Sequence, residues 1–136
     1  GGKVPEVDTA ALSENVELVL AAGQAGLLKS CHDCADGGLA ITLAEMCIGG
    51  DLGANIDLAA LDDLSFETKL FSESNSRFVV EVDVSKQNAF EKLAKNAILL
   101  GEVGRHRMII EDGRRKVDVK VPAMRRAWSE ALGRLM

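Results

Sequence analysis

The spacing of apolar residues along the chain predicts helices alternating with strands. A first helix should begin near Asp8, a suitable N-cap, and end at Gly23 and Gly26. The short apolar run Leu27–Cys31 is typical of a buried strand. In the first helix, the apolar positions repeat at helical spacing, and its inner face should consist of Leu12, Val16, Val19 and Leu20.

A second helix should open at Asp36-Gly37-Gly38 and end at Gly49 and Gly50. Its inner face should consist of Leu39, Leu43, Met46 and Cys47. The next predicted elements are a strand over Asn55–Leu58, a helix over Phe66–Phe71, a strand over Arg77–Val84 and a helix from its cap Ser85 to about Asn96.

Three strands should follow, over Ile98–Val103, Arg107–Glu111 and Lys116–Val121, with Asp112-Gly113 as a hairpin signal between the last two. Pro122 should start a final helix. Its inner face should consist of Met124, Trp128, Leu132 and Leu135. The order of elements predicts an α+β fold, a mixed-sheet α/β sandwich, in one domain over residues 1–136 with residues 1–7 as a linker.

Composition narrows the class of protein. The chain has 136 residues, 47% of them hydrophobic and 27% charged, which is typical of a globular domain. A net charge of −5 argues against nucleic-acid binding, and no apolar run is long enough for a membrane span. Residues 101–136 hold 9 Lys and Arg against 5 Asp and Glu. This basic third either faces an anionic ligand or an acidic partner, or is a solvated surface.

Three cysteines, an odd number, predict a reducing cytoplasm rather than a disulfide framework. Cys31-His32-Asp33-Cys34 invites a metal or redox interpretation, but a tetrahedral zinc site would need a second ligand pair that the sequence lacks. Small, partly buried cysteines with no metal are the favoured interpretation. His32 and Asp33 end a predicted strand, where either site residues or a hydrogen-bonded structural histidine are common.

Asp36-Gly37-Gly38 at a helix start could bind an anion, because glycines allow close approach and free N–H groups favour negative charge. Asp36 could equally cap that helix. The loop Glu73-Ser74-Asn75-Ser76-Arg77 offers a carboxylate, hydroxyls, an amide and a guanidinium. It suits a phosphorylated sugar, with Arg77 on the phosphate, or a polar turn whose side chains bind their own backbone.

These two segments resemble one family. His-Asp-Cys-Ala-Asp-Gly-Gly-Leu from His32 and Ser-Glu-Ser-Asn-Ser-Arg-Phe from Ser72 are similar to His-Asp-Val-Ser-Asp-Gly-Gly-Leu and Ser-Glu-Ser-Gln-Ser-Arg-Phe of the phosphoribosylformylglycinamidine synthases. Ile98–Gly104 and Pro122–Leu132 resemble later segments of the same synthetase subunit. The differences are Cys34 and Ala35 in the first motif and Asn75 in the second. The resemblance implies the second copy of the C-terminal domain fold of the aminoimidazole ribonucleotide synthetase superfamily.

The resemblance also implies a function. The complete enzyme uses ATP and Mg²⁺ to convert formylglycinamide ribonucleotide and glutamine-derived ammonia into the amidine of purine biosynthesis. Its partners are the N-terminal ATP-binding domains of the same subunit, a glutaminase subunit and a small accessory subunit. Alone, this chain should bind no cofactor and should not catalyse. No residue is assigned a catalytic role. The candidate ligand-binding residues are His32, Asp33, Asp36, Gly37, Gly38, Glu73, Ser74, Asn75 and Arg77.

Two other functions stay open. The chain could be a stand-alone ribonucleotide-binding or regulatory module, or part of a related ATP-dependent enzyme such as aminoimidazole ribonucleotide synthetase. The latter family carries a Thr-Gly-Gly-Gly motif that this sequence lacks.

Overall fold

The computed structural model describes residues 7–61 and 63–130. The helices are α1 (Thr9–Gln24), α2 (Gly38–Gly50), α3 (Phe66–Phe71), α4 (Gln87–Leu93) and α5 (Val121–Glu130), and a 3₁₀ turn over Val84–Lys86 leads into α4. The strands are β1 (Leu28–Asp33), β2 (Ala54–Asp57), β3 (Phe78–Val82), β4 (Gly101–Val103), β5 (Arg107–Asp112) and β6 (Arg115–Lys120).

The strands form two sheets. β1 and β3 make an antiparallel pair, and the other four lie in the order β4-β2-β5-β6. Within the larger sheet β2 and β5 run parallel, while β4 and β6 are antiparallel to their neighbours. The predicted mixed-sheet α+β class is confirmed. None of the described helices combines the length and the apolar character needed to cross a bilayer.

Contacts divide the chain into two compact units. Among the described residues, unit 1 holds 7–42 and 71–97, and unit 2 holds 43–61, 63–70 and 98–130. The boundary falls inside α2, directly after Thr42. Whether the two units make one domain, as the sequence predicts, stays a prediction. The predicted linker over residues 1–7 lies outside the described residues except for Val7, which is exposed.

In unit 1, the cap of α1 is as predicted but its buried face is not. The Asp8 carboxylate accepts the N–H groups of Ala10 and Ala11, each at 3.0 Å. The predicted face is largely wrong, because Leu12, Val16 and Leu20 are 40%, 38% and 58% exposed. The helix instead buries its small Ala22 in a cluster that it shares with other elements of unit 1. That cluster contains Ala22, Phe90 and Ala94, with Leu18, Leu27, Leu28, Val80 and Val82 packed around it.

Strand β1 lies one or two residues later than predicted and is only half buried. Its side chains alternate between half-buried and exposed from Leu28 to Asp33. A strand with a single neighbour and one covered face shows this alternation rather than continuous burial. The cysteines differ accordingly: Cys34 and Cys47 are buried, whereas Cys31 is exposed.

The helix predicted to start at Ser85 begins instead as a 3₁₀ turn over Val84–Lys86, which Asp83 caps, and continues as α4 over Gln87–Leu93. An Asp83 carboxylate oxygen accepts the N–H of Ser85 at 3.0 Å and its hydroxyl at 2.7 Å, while Lys29 lies 3.1 Å from the other oxygen. The Ser85 donors, followed by Lys29, hold the pKa of the Asp83 carboxyl well below its ordinary value.

This cap predicts an acid-sensitive contribution to stability. The depressed pKa means that the carboxylate stabilises the fold above about pH 4, the usual Asp value, and that this contribution falls away as the pH drops towards the folded pKa. Between pH 5 and pH 3, the melting temperature of the wild type should therefore fall more steeply than that of Asp83→Asn. Asp63→Asn, at an exposed position with no side-chain hydrogen bond to the described residues, should follow the wild type. Parallel slopes for the wild type and D83N would contradict the assignment.

In unit 2, the predicted hairpin is confirmed. β5 and β6 pair from Arg107↔Lys120 to Asp112↔Arg115, and Gly113 in the turn has a φ of 61°, which glycine adopts readily. Met108 and Ile110 on β5 are buried. The predicted strand over Ile98–Val103 is shorter and covers only Gly101–Val103.

The final helix begins at Val121, one residue before the predicted Pro122, and Val121 is buried. The prediction for Trp128 is wrong, since it is 68% exposed rather than on the inner face. Met124 is half buried. Leu132 and Leu135, also predicted on the inner face, lie outside the described residues.

Candidate functional site

The antiparallel pairing of β1 with β3 brings the two sequence motifs together within unit 1. The last residue of β1, Asp33, lies opposite the first residue of β3, Phe78. The ladder continues one step further, because the N–H of Cys34 donates to the carbonyl of Arg77 at 2.9 Å. The loop after β1 and the loop before β3 are therefore neighbours, although about forty positions separate them.

A cavity of about 890 Å³ opens between these loops. Six of the nine predicted binding residues line it: His32, Asp33, Asp36, Glu73, Asn75 and Arg77. Gly37, Gly38 and Ser74 lie beside the cavity in sequence but are not in its lining. A contribution that the sequence did not indicate is Leu12 of α1, which forms part of the wall.

A hydrogen bond joins the two motifs directly. Glu73 Oε1 accepts the N–H of Gly37 at 2.9 Å. Gly37 and Gly38 have φ values of 79° and 63°, a conformation that costs glycine little. Among the described residues no hydrogen bond to the Asp36 carboxylate is found, so the cap-like contact at the start of α2 comes from Glu73. The Glu73 carboxylate thus occupies the N–H of Gly37, a donor that was predicted to be available to an anionic ligand.

Arg77 closes its own loop. Its Nε donates to the carbonyl of Ser74 at 3.1 Å, and its Nη2 donates to the carbonyl of Ser72. The hydroxyls of Ser72 and Ser74 lie 3.1 Å apart. These contacts match the polar-turn interpretation of the loop. The contact between Arg77 and a phosphate stays a prediction, and it would have to use the remaining guanidinium donors or replace these bonds.

His32 is fixed by the backbone. Its Nδ1 lies 2.7 Å from the carbonyl oxygen of Asp33 and 3.5 Å from a carboxylate oxygen of the same residue. Because a carbonyl oxygen only accepts, the short contact places a proton on Nδ1. The half-buried ring therefore has a defined orientation at the cavity wall.

Two residues outside both motifs hold these loops in place. Thr42, only 2% exposed, has its hydroxyl 3.1 Å from the carbonyl oxygens of both Asp33 and Gly38, so it ties the end of β1 to the start of α2. Asn15 on α1 donates from Nδ2 to the carbonyl of Ser76 at 2.8 Å. The sequence carried no signal for either contact, since each side chain meets backbone atoms that only the fold brings near.

The metal and redox interpretations find little support in this geometry. No group of three or more His, Cys, Asp or Glu side chains within residues 7–61 and 63–130 is arranged to hold a metal ion. Desolvation by neighbouring groups, followed by the nearby Asp33 charge, raises the pKa of the Cys31 thiol. A raised pKa disfavours the thiolate on which redox chemistry depends.

Acidic side chains predominate at the cavity. Asp33, Asp36 and Glu73 contribute three carboxylates, whereas Arg77 contributes a guanidinium that already binds two carbonyls. Like charges repel, so this wall favours ligand groups that donate hydrogen bonds, such as ribose hydroxyls, over a bare phosphate.

Four of the eight Lys and Arg residues described between positions 101 and 130 pair with carboxylates within unit 2. Arg107 pairs with Asp118, Lys116 with Glu111, Arg115 with Glu67 and Arg125 with Asp51. All of these side chains are partly exposed. The arrangement is typical of a solvated surface, which was one of the two interpretations that the sequence left open.

Comparison with known proteins places this geometry in context. A sequence model described as AIR synthase related protein, C-terminal domain, matches residues 1–113. Among solved structures, T. maritima PurL complexed with FGAR has a TM-score of 0.78 at 22% identity, over 88% of this chain and 21% of that chain. T. maritima PurL complexed with ATP has a TM-score of 0.68 at 23% identity, over 82% and 21%.

The structure of PurLQS from Thermotoga maritima matches with a TM-score of 0.72 at 22% identity, over 88% of this chain and 22% of that chain. This chain therefore spans about a fifth of the length of these relatives. At such identity the likeness shows the fold, and the predicted C-terminal domain fold is confirmed.

Proposed function

Since this chain belongs to the family of AIR synthase related protein C-terminal domains, we propose that it is the C-terminal domain of a phosphoribosylformylglycinamidine synthase. The observation that carries the proposal is the bond between Glu73 and the Gly37 N–H, which joins the two motifs of the resemblance at one cavity. Relatives of the same fold have been solved with FGAR and with ATP.

The proposed reaction takes place in the complete polypeptide. ATP transfers its terminal phosphoryl group to the formamide oxygen of formylglycinamide ribonucleotide and leaves as ADP. Ammonia then adds to the activated carbon, phosphate departs, and the amidine forms. This chain has no glycine-rich phosphate loop and no group of described residues that fits a metal, so ATP and Mg²⁺ are assigned to the preceding domains.

The role proposed for this chain is to bind part of the ribonucleotide. Asn75 and the three carboxylates accept hydrogen bonds from ribose hydroxyls, while Arg77 supplies donors and His32 forms part of the same wall. Gly37, Gly38 and Ser74 shape the two loops. The proposed partners are the ATP-binding domains of the same subunit, a glutaminase subunit and a small accessory subunit in the cytoplasm. That a relative was solved as PurLQS supports such an assembly.

The experiment is a substrate-dependence assay on the natural polypeptide that carries this chain. We expect ADP release that requires both formylglycinamide ribonucleotide and ammonia. ADP release that requires formylglycinamidine ribonucleotide instead would favour the alternative, an aminoimidazole ribonucleotide synthetase. Ribonucleotide binding without any ATP turnover would favour a stand-alone or regulatory module.

A variant tests whether the cavity takes part. Glu73→Ala removes the acceptor of the Gly37 N–H, and the KM for formylglycinamide ribonucleotide should rise about tenfold, the equivalent of about 1.4 kcal/mol, within the range for a lost hydrogen bond. Glu91→Ala is the matched control. Glu91 accepts from Gln87 Nε2 at 2.8 Å on exposed α4, away from the cavity lining. Equal KM values for E73A and E91A would show that the cavity takes no part in binding formylglycinamide ribonucleotide.

A further inference from the structure

The loop before β3 contains a serine whose backbone lies in the left-handed region. Ser76 has a φ of 68°, and Asp51 is the other non-glycine residue with a positive φ in the described parts of the chain. A serine in the left-handed region is strained, and such strain persists only where surrounding contacts impose it. At this position the chain turns between Asn75, which lines the cavity, and Arg77, whose carbonyl begins the pairing with β1.

The contacts that impose this conformation come from α1. Asn15 Nδ2 donates to the Ser76 carbonyl at 2.8 Å, and the Ser76 hydroxyl lies at a longer 3.4 Å from the carbonyl of Asp8. Leu12, three positions before Asn15 and therefore on the same side of the helix, lines the cavity. The first half of α1 thus forms a wall of the site and holds its strained turn.

We propose that Asn15 is a positioning residue for the ligand-binding loop. Its amide holds the Ser76 carbonyl and so fixes the turn from which Glu73 reaches Gly37 and Arg77 reaches Cys34. The amide is suited to this task because it supplies a donor to a carbonyl, whereas a carboxylate of nearly the same shape supplies only acceptors.

The test uses this difference. Asn15→Asp replaces the donor by an acceptor with almost no change in shape. Asn88→Asp makes the same change on α4, at an exposed position whose side chain has no hydrogen bond among the described residues. Hydrogen–deuterium exchange is measured in the complete polypeptide, on peptides that span residues 33–40 and 71–78. We expect exchange about fivefold faster in N15D, the equivalent of one lost hydrogen bond, and unchanged exchange in N88D.

Measuring N15D in a second variant distinguishes a positioning role of Asn15 from a general loss of stability. Ser76→Gly removes the steric cost of the left-handed turn, so the loop depends less on Asn15. In S76G, the additional N15D change should therefore speed exchange less than it does in the wild type, which a double-mutant cycle measures. Equal effects in both backgrounds, or equal exchange in N15D and N88D, would overturn the proposal.

The functional consequence rests on the proposed function. If the loop binds ribonucleotide, N15D should raise the KM for formylglycinamide ribonucleotide about fivefold with a smaller change in kcat, and S76G should reduce that rise. Absence of ligase activity in the wild type would refute the proposed function. The exchange measurements need no substrate, so they decide the role of Asn15 in either case.

Discussion

Replacing Gly53 by alanine should destabilise unit 2 by about 3 kcal/mol or more, at or above the usual cost of overpacking a core. Gly53 is buried and leads into β2. A Cβ at this position would overlap the backbone nitrogen, carbon and oxygen of Arg107, the first residue of β5. Because β2 and β5 are the two central strands of the sheet, their backbones would have to separate.

The matched control is Gly49→Ala. Gly49 lies inside α2, its added Cβ would meet nothing within 4 Å, and its side of the helix is exposed. Alanine in a helix costs less conformational entropy than glycine, so G49A should stabilise by about 0.5–1 kcal/mol. Denaturant unfolding followed by far-ultraviolet circular dichroism measures both variants. A G53A variant as stable as the wild type would show that the close approach at Gly53 is not tight.

These two glycines illustrate what the sequence could predict and what it could not. Gly49 and Gly50 were predicted to end α2, and the helix does end at Gly50, although the residue with a left-handed φ after it is Asp51. The role of Gly53 depends on a strand more than fifty positions later. The residues around Gly53 in the sequence do not indicate its close approach to the backbone of Arg107, so no role could be predicted for Gly53.

Helix faces show a related limit. The α1 sequence has apolar residues on more than one side, and the predicted side at Leu12 and Leu20 is exposed. The buried side carries the small Ala22, which fits against Phe90 of α4. Which apolar side is covered depends on the partner, and that information is not in the helix itself.

The residues around the cavity were easier to single out from the sequence than the contacts that hold their loops, and their binding of a ligand stays a prediction. His32, Asp36 and Glu73 were singled out because polar groups and glycines interrupt apolar runs, and the structure places all three at one cavity. Thr42 and Asn15 escaped notice since a single threonine or asparagine within a helical sequence is ordinary. Their contacts are with backbone carbonyls nine and 61 positions away, which only the fold reveals.

A second large effect is expected at Asp112. Lys69, whose side chain is 7% exposed, lies with its Nζ 2.9 Å from the carboxylate of Asp112 and 3.0 Å from the carbonyl of Leu58. Asp112→Ala would leave the Leu58 carbonyl as the one partner of the buried ammonium among the described residues. Removing one member of a buried ion pair typically costs about 3–5 kcal/mol, and we expect the lower end because Asp112 is 22% exposed.

The reverse substitution should cost less. Lys69→Met keeps most of the side-chain volume and leaves a carboxylate that water can reach, so a loss of about 1–2 kcal/mol is expected. The exposed pair of Lys116 and Glu111, at 2.8 Å, is the control, and Glu111→Ala should change stability little.

The double variant K69M/D112A decides between two explanations of the Asp112 effect. Asp112 also precedes the hairpin turn, and loss of turn geometry would destabilise whether or not Lys69 is present. If loss of the ion pair with Lys69 is the cause, the double variant should be more stable than D112A alone, because the buried charge is gone. A double variant less stable than D112A would assign the effect to the turn, and the Lys69–Asp112 pair would then contribute little to the stability of unit 2.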